Sequence, residues 1–320
     1  KKVSLGSGCL ALGKGQPTKD QRRALMAHFF FGFGRKDSER LTLAQFKDLY
    51  NELSDYDVDA SMTEDRLIEI LRKISEMIVY GEKDETLFDY FCEKNILAKF
   101  VEIVNTNSSN QVKTQIIQTM CIVIQNMKNK TSLYFVLSGN HINRLINYEY
   151  DLTDEELLAN FISLMKALTL KLNPETVQFF LDPRVRPPPF HLYTRALQFV
   201  SSPDPMARTS ALNMILHIFQ VEDPALRSFL ALEGHRRRFF AALCASLRRG
   251  AARLAAARRP RARATEAVLD RLRDEAHGLQ DQFYYLEDVL STGEPQLARA
   301  LGAYTLRHFL YPVLLGGLLP

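Results

Sequence analysis

The chain has 320 residues, 46% of them hydrophobic and 24% charged, with glycine and proline together at only 28 positions. That length allows one large domain or two ordinary ones, and the composition excludes disordered, collagen-like and low-complexity chains. The net charge of +4 averages two unlike parts: residues 234–265 hold ten arginines and no acid, and the remainder carries 31 basic against 37 acidic residues, a net of −6.

The first residue is Lys, not Met, and the chain is expected to be a piece of a longer protein. Residues 1–35 read as an extension without helical periodicity. Within it, Gly8 to Lys14 has the spacing of a phosphate-binding loop. Gly15 stands where a magnesium-holding Ser or Thr belongs, and Pro17 follows where a helix should, so no nucleotide site is predicted. Lys1 and Lys2 before Val3 to Leu12 resemble a signal peptide, but Gly6, Ser7 and Gly8 interrupt the apolar run and argue against one. The aromatic cluster His28 to Phe33 is expected to cover the end of a helical stack or to dip into a membrane interface. It is too short to cross a membrane, and no other apolar run in the chain is long enough.

From about residue 41 the chain reads as helix after helix. Thr42-x-x-Gln45, Ser61-x-x-Glu64 and Thr153-x-x-Glu156 have capping-box spacing. Asn173-Pro174, Ser202-Pro203 and Asp223-Pro224 pair a capping side chain with proline at the first helical position. Apolar residues at helical spacing follow in four runs. These are Leu67, Ile70, Leu71, Ile74, Met77 and Ile78; then Ile116, Ile117, Met120, Cys121, Ile124 and Met127; then Leu157, Leu158, Phe161, Ile162, Met165 and Leu168; then Met206, Ala207, Leu212, Ile215, Leu216 and Phe219. Strand-like alternation is almost absent. The fold class is therefore all-α, an irregular armadillo/HEAT-like α-solenoid of stacked helices, with a compact bundle as the alternative. The helix starts show no constant period and the residues no self-similarity. Asp182 to Pro189 reads as an interhelical connector, with a polyproline ligand as the lesser reading. Residues 248–264, rich in Arg and Ala but interrupted by Gly250 and Pro260, are expected to form a solvated, partly ordered loop.

No constellation with catalytic or ligand chemistry emerges, so no catalytic, metal or cofactor-binding residue is assigned. The four cysteines, Cys9, Cys92, Cys121 and Cys244, stand far apart, which argues against disulfides and cysteine zinc sites and fits a reducing compartment. The histidines are single, and His217 reads as a core or edge residue. The acidic group Asp151, Asp154, Glu155 and Glu156 is explained by a helix start, where carboxylates favour the positive end of the dipole. The arginine segment is the strongest electrostatic feature. Arg236, Arg237, Arg238, Arg248, Arg249, Arg253, Arg258 and Arg259 are the candidates for contact with a membrane or an acidic partner, against a merely solvated role. Nucleic acid is the weaker reading, because stacking aromatics are confined to Phe239 and Phe240.

Several segments also resemble a known family. These are Glu85 to Val104 (ETLFDYFCEKNILAKFVEIV), Lys130 to Phe180, and Leu192 to Val221 (LYTRALQFVSSPDPMARTSALNMILHIFQV), with a looser continuation at Gln282 to Leu290 and His308 to Leu315. In this order they resemble the FPL-domain family, shared by the C-type lectin domain family sixteen member A proteins of animals and a plant transparent-testa Golgi protein. The name-giving Phe-Pro-Leu is Phe190-His191-Leu192 here, with prolines at 187–189 and Tyr193 following. Phe190, Leu192 and Tyr193 are thus the family positions. On this resemblance residues 36–190 are an FPL domain, and 191–320 continue the helical repeats around a basic insertion at about 246–264. The resemblance implies a cytoplasmic, non-enzymatic scaffold, peripheral on endosomal or Golgi membranes. It would recruit protein partners in vesicle traffic and autophagy, including mitophagy. Membership of a ubiquitin-ligase complex is the alternative function.

Overall fold

The computed structural model describes residues 42–56, 62–80, 85–106, 108–182, 184–185, 188–257, 266–292 and 294–315. The phosphate-loop-like segment and the aromatic cluster His28 to Phe33 lie outside these residues. The fold is all-α, a solenoid of stacked helices. Its helices are α1 (Leu43–Asp55), α2 (Glu64–Tyr80), α3 (Glu85–Glu93), α4 (Ile96–Asn105), α5 (Asn110–Asn126), α6 (Lys130–Ser138), α7 (His141–Asn147) and α8 (Glu155–Thr169). A 3-10 turn (Val177–Phe179) precedes α9 (His191–Phe199), α10 (Pro205–Phe219), α11 (Pro224–Ala231), α12 (Glu233–Ala257), α13 (Glu266–Leu290) and α14 (Pro295–Thr305). A π-helix, Leu306–Leu315, packs on α12 and α14.

The stacking follows from which helices touch. In a central row α2 packs on α5, α5 on α8, α8 on α10, and α10 on α13. A second row runs α4, α7, α9, and an outer contact joins α3 to α6. The chain visits these rows in turn: α3–α4–α5, α6–α7–α8, the 3-10 turn–α9–α10, then α11–α12–α13. These units begin at Glu85, Lys130, Val177 and Pro224, so they start 45, 47 and 47 residues apart. A structural period therefore exists where the sequence shows none. Each unit needs a similar length of chain to cross the stack, but any apolar residue can fill the core positions, so the period is not written in residue identities.

The predicted apolar runs form the core. Leu67, Ile70, Leu71, Ile74, Ile116, Ile117, Met120, Phe161 and Met165 are wholly buried, while Met206, in the first turn of α10, is 52% exposed. Helix starts follow local chemistry with small shifts. Thr42 and Gln45 form the expected capping box, with Gln45 N–H donating to Thr42 Oγ1 at 3.3 Å and Thr42 N–H to Gln45 Oε1 at 2.9 Å. Asp223 caps α11 through Leu226 N–H at 2.8 Å, with Pro224 following as predicted. Elsewhere a neighbour takes the role. Asp154, not Thr153, caps α8, and Asp204, not Ser202, caps α10 ahead of Pro205. Thr63 accepts from Arg66 N–H at α2, and Ser61 lies outside the described residues. A carboxylate is a stronger acceptor than a hydroxyl, which decides the competition at α8 and α10. Asn173 does cap backbone N–H groups of Glu175 and Thr176, but the turn it opens stops at the 3-10 element. The proline-rich connector after it is closed by an antiparallel bridge between Leu181 and Phe190.

The largest departure is α12. The expected loop from residue 248 is helical through Ala257. Alanine favours the helix, and α13 covers it. Gly250 does not break it, because its missing side chain admits α13: a Cβ there would lie 3.1 Å from Leu279 Cδ1. Leu243, Leu247, Gly250 and Leu254 recur at alternating steps of four and three, the seam of a packed helix pair. Residues 258–264 lie outside the described residues.

Candidate interaction surfaces

The positions Phe190, Leu192 and Tyr193 are all in the core, at 1%, 0% and 0% exposure. Phe190 ends the proline-rich connector, and Leu192 and Tyr193 lie in the first turn of α9. Phe190 stacks on Tyr193, and both meet the edge of Phe229 on α11. Phe219 bridges Tyr193 to Phe239 of α12, and the Tyr193 hydroxyl donates to the His235 carbonyl at 3.3 Å. These residues join α9, α10, α11 and α12 and offer no surface to a ligand. Their chemistry is packing.

Among the arginines, Arg237, Arg238, Arg248, Arg249 and Arg253 are exposed on α12 and Arg236 is half-buried. The opposite face of α12 buries Phe239, Phe240, Leu243, Cys244 and Leu247, which fixes the arginine face outward. Arg253 is drawn to Glu275 of α13 at 2.7 Å. Arg258 and Arg259 lie outside the described residues. The face is made of arginine and alanine without bulky apolar side chains. It can attract phosphate or carboxylate but has nothing to insert into a hydrocarbon layer.

One arginine escaped the sequence reading because it is not on that face. Arg195 of α9 is 5% exposed. Its Nε donates to the Ile146 carbonyl at 2.9 Å, one Nη donates to the Tyr148 carbonyl, and the other to Gln198 Oε1 at 2.9 Å. It thereby satisfies carbonyls at the C-terminus of α7 and ties two helices of the second row together. Glu149, on the surface, approaches at 3.5 Å. No local pattern announces such a role; a single arginine in an amphipathic helix reads as solvated.

A pairing also repeats along the chain. His141, His191 and His235 stand in the first turns of α7, α9 and α12, each followed by an arginine three or four residues on. Burial holds all three imidazoles below their ordinary range, with Arg144, Arg195 and Arg238 adding repulsion. The thiols are raised by burial: Cys92 and Cys121 to about 12, and Cys244 upward as well. Asp89 adds to the effect at Cys92. His217 is exposed near the end of α10. Among the described residues no group of three metal-ligating side chains converges, and no helix is long and apolar enough to cross a membrane.

Residues 71–219 match the FPL family, described as an uncharacterised conserved protein. The chain carries an FPL domain. It extends from α2 to the end of α10, so the Phe190–Tyr193 cluster lies inside it and the arginine face of α12 outside. The chain is 30% identical to Protein TRANSPARENT TESTA 9 of Arabidopsis thaliana over 296 residues, 88% of this chain and 34% of that protein. It is 35% identical to Protein CLEC16A of Homo sapiens over 191 residues, 59% of this chain and 18% of the human one. The Drosophila melanogaster homologue of CLEC16A is 34% identical over 62% of this chain and 19% of its own length. The FPL-bearing chain thus spans about a third of the plant relative and under a fifth of these animal ones. Among solved structures it is similar to a designed armadillo repeat protein in complex with peptide (KR)4, with TM-score 0.47 and 13% identity over 83% of this chain and 99% of the other.

Proposed function

We propose that this chain is a non-enzymatic scaffold segment of endosomal and Golgi vesicle traffic and autophagy, including mitophagy. It is cytoplasmic and peripheral on those membranes, and recruits protein partners to them. The FPL domain supports this reading, together with the similarity of the chain to the CLEC16A and TRANSPARENT TESTA 9 proteins. The thiols of half-buried Cys92 and buried Cys121 are raised, which supports a non-enzymatic role, because a thioester mechanism needs an accessible thiolate. The arginine face of α12 is the proposed membrane contact, with Arg237, Arg238, Arg248 and Arg249 facing anionic headgroups.

Two measurements test the two halves of this proposal. Each arginine near an anionic surface contributes about 1 kcal/mol, so four together supply a large share of membrane affinity. Sedimentation with phosphatidylserine vesicles should fall at least a hundredfold in affinity when all four are changed to Glu, and should weaken steeply with salt. Unchanged sedimentation sinks the membrane contact. For the scaffold itself, the full-length protein should co-fractionate with endosomes or Golgi, and its deletion should slow cargo delivery. A wholly soluble distribution with normal delivery sinks it.

A further inference from the structure

Helix α13 is one of the two longest in the fold, yet from Glu266 to Tyr284 none of its residues is buried. Its covered side is a seam of alternating three- and four-residue steps, with Leu272, Leu279 and Leu286 among its apolar positions. Helix α12 lies on this seam: Arg253 donates to Glu275 at 2.7 Å, and Leu279 and Gln282 sit over Gly250. Towards the body Tyr285 and Val289 are buried, and the Tyr285 hydroxyl donates to the Leu212 carbonyl of α10 at 2.8 Å. A helix in a folded protein is held chiefly by burying one face, and the first five turns of α13 bury little.

A second seam runs beside the first and is open along its whole length. Leu269, Ala276, Phe283 and Leu290 follow at intervals of seven, with Arg273, Gln280 and Glu287 at the intervening steps of four and three. All seven are exposed, Leu269 at 51%, Phe283 at 39% and Leu290 at 37%. Phe283 meets Phe309 of the π-helix with ring centres 5.8 Å apart and still reaches solvent. Steps of four and three keep side chains on one line of a helix, the pattern of a coiled-coil interface. The seam is also complementary to its own reverse. About a point beside Gln280, Leu269 stands opposite Leu290, Ala276 opposite Phe283, and Arg273 opposite Glu287. Two copies laid in the same direction would instead set Phe283 against Phe283 and Ala276 against Ala276, one pair crowded and the other leaving a gap.

We propose that this seam is an interface between two copies of the chain, with their α13 helices antiparallel about a dyad beside Gln280. Each Phe283 then fills the space over the partner's Ala276, and each Leu269 meets the partner's Leu290. Arg273 lies beside the partner's Glu287, and the two Gln280 amides, each both donor and acceptor, meet near the dyad. Arg273 otherwise donates to Asp270 at 2.7 Å, and Gln280 to the Tyr284 hydroxyl at 2.8 Å. Both contacts are exposed and weakly held, so a partner replaces them at little cost. From Leu269 to Leu290 the contact runs about 30 Å along the helix. It is isologous, so it closes at two copies. Arg237, Arg238, Arg248 and Arg249 lie on the face of α12 opposite its buried residues, and the pairing leaves them free. The dimer goes beyond the scaffold reading and does not depend on it.

Sedimentation equilibrium of the 320-residue chain over a range of concentrations tests this, and a monomer–dimer equilibrium is expected. Ala276→Arg, which sets a charge against the partner's Phe283, should weaken the dimer about tenfold or more. Arg273→Glu and Glu287→Arg should each weaken it about fivefold. The Arg273→Glu/Glu287→Arg double variant should restore it, because in the antiparallel pair each new Glu again faces an Arg. All three positions are exposed, so an unaltered urea midpoint shows that each variant is folded. A monomer at every concentration, a ladder of larger oligomers, undiminished pairing of Ala276→Arg, or a double variant as weak as the single ones would each overturn the proposal. None of these results touches vesicle binding or organelle co-fractionation.

Discussion

Replacing Arg195 by Met keeps the volume of the side chain and removes its donors. The Ile146 carbonyl at the end of α7 then loses this donor inside the stack, while the Tyr148 carbonyl keeps only the Tyr150 N–H, at 3.2 Å. A hydrogen bond to a charged group contributes about 1.5–3 kcal/mol, and an unsatisfied buried acceptor costs about 1–3 kcal/mol. The guanidinium's own desolvation is relieved by the substitution, which offsets part of the loss. The net expectation is a destabilisation of about 3–5 kcal/mol, the range found when a buried charged network is broken from one side. Lys at this position keeps the charge but cannot fork between two carbonyls, so Arg195→Lys should fall between wild type and Met. Glu149 is the control. Its side chain is 86% exposed, and an ion pair so placed contributes under about 1 kcal/mol, so Glu149→Ala should be nearly silent. Urea titrations followed by far-UV circular dichroism would give the midpoints, with an unchanged slope showing that the unfolded surface is the same. A wild-type midpoint for Arg195→Met, or an equal loss for Glu149→Ala, would refute the assignment of Arg195 as the tie between α7 and α9.

Phe190→Ala should cost about 3–5 kcal/mol in thermal or urea unfolding because its ring is wholly buried, and a loss below about 1 kcal/mol would mean that the family position is not held by packing. At Gly250, Ala should be close to neutral, because its gain of about 1 kcal/mol in helix propensity is offset by a Cβ only 3.1 Å from Leu279 Cδ1, which must shift. Val, with two further methyl groups against α13, should lower the melting temperature by overpacking. Between pH 7.5 and 5.5 the urea midpoint should fall. His141, His191 and His235 bind protons less readily folded than unfolded, so stability is present above about 6.5 and is lost as the unfolded imidazoles protonate. Changing all three to Gln should flatten that profile, and an unaltered slope would rule them out. Cys121 and Cys244, buried and raised, should resist iodoacetamide at pH 8 until urea unfolds the chain, as followed by mass spectrometry.

The helices themselves were legible residue by residue. The spacing of Leu67 to Ile78 and of Ile116 to Met127 predicts which faces are buried, because a helix places every third or fourth side chain on one side whatever its neighbours are. Thr42-x-x-Gln45 and Asp223-Pro224 predict their caps for the same local reason. Errors of one or two residues arose where two acceptors competed, as Thr153 with Asp154. Residues 248–264 read as a loop by composition, yet Arg248 to Ala257 are helical, because the helix there packs on α13, which the local pattern does not record. Gly250 reads as a breaker by composition and is instead a place of close packing against Leu279.

By itself, then, the sequence determined the all-α class, the apolar faces, the concentration of positive charge in one segment and the FPL resemblance. These depend on local spacing, composition and residue order. Only the tertiary structure decided that units of 45 to 47 residues stack in register, and that Arg195 serves a neighbouring helix. Packing likewise fixed the arginines of α12 on one outward face. Such relations join residues about 45 positions apart, and a solenoid sets them by chain length and helix packing, which no local pattern records.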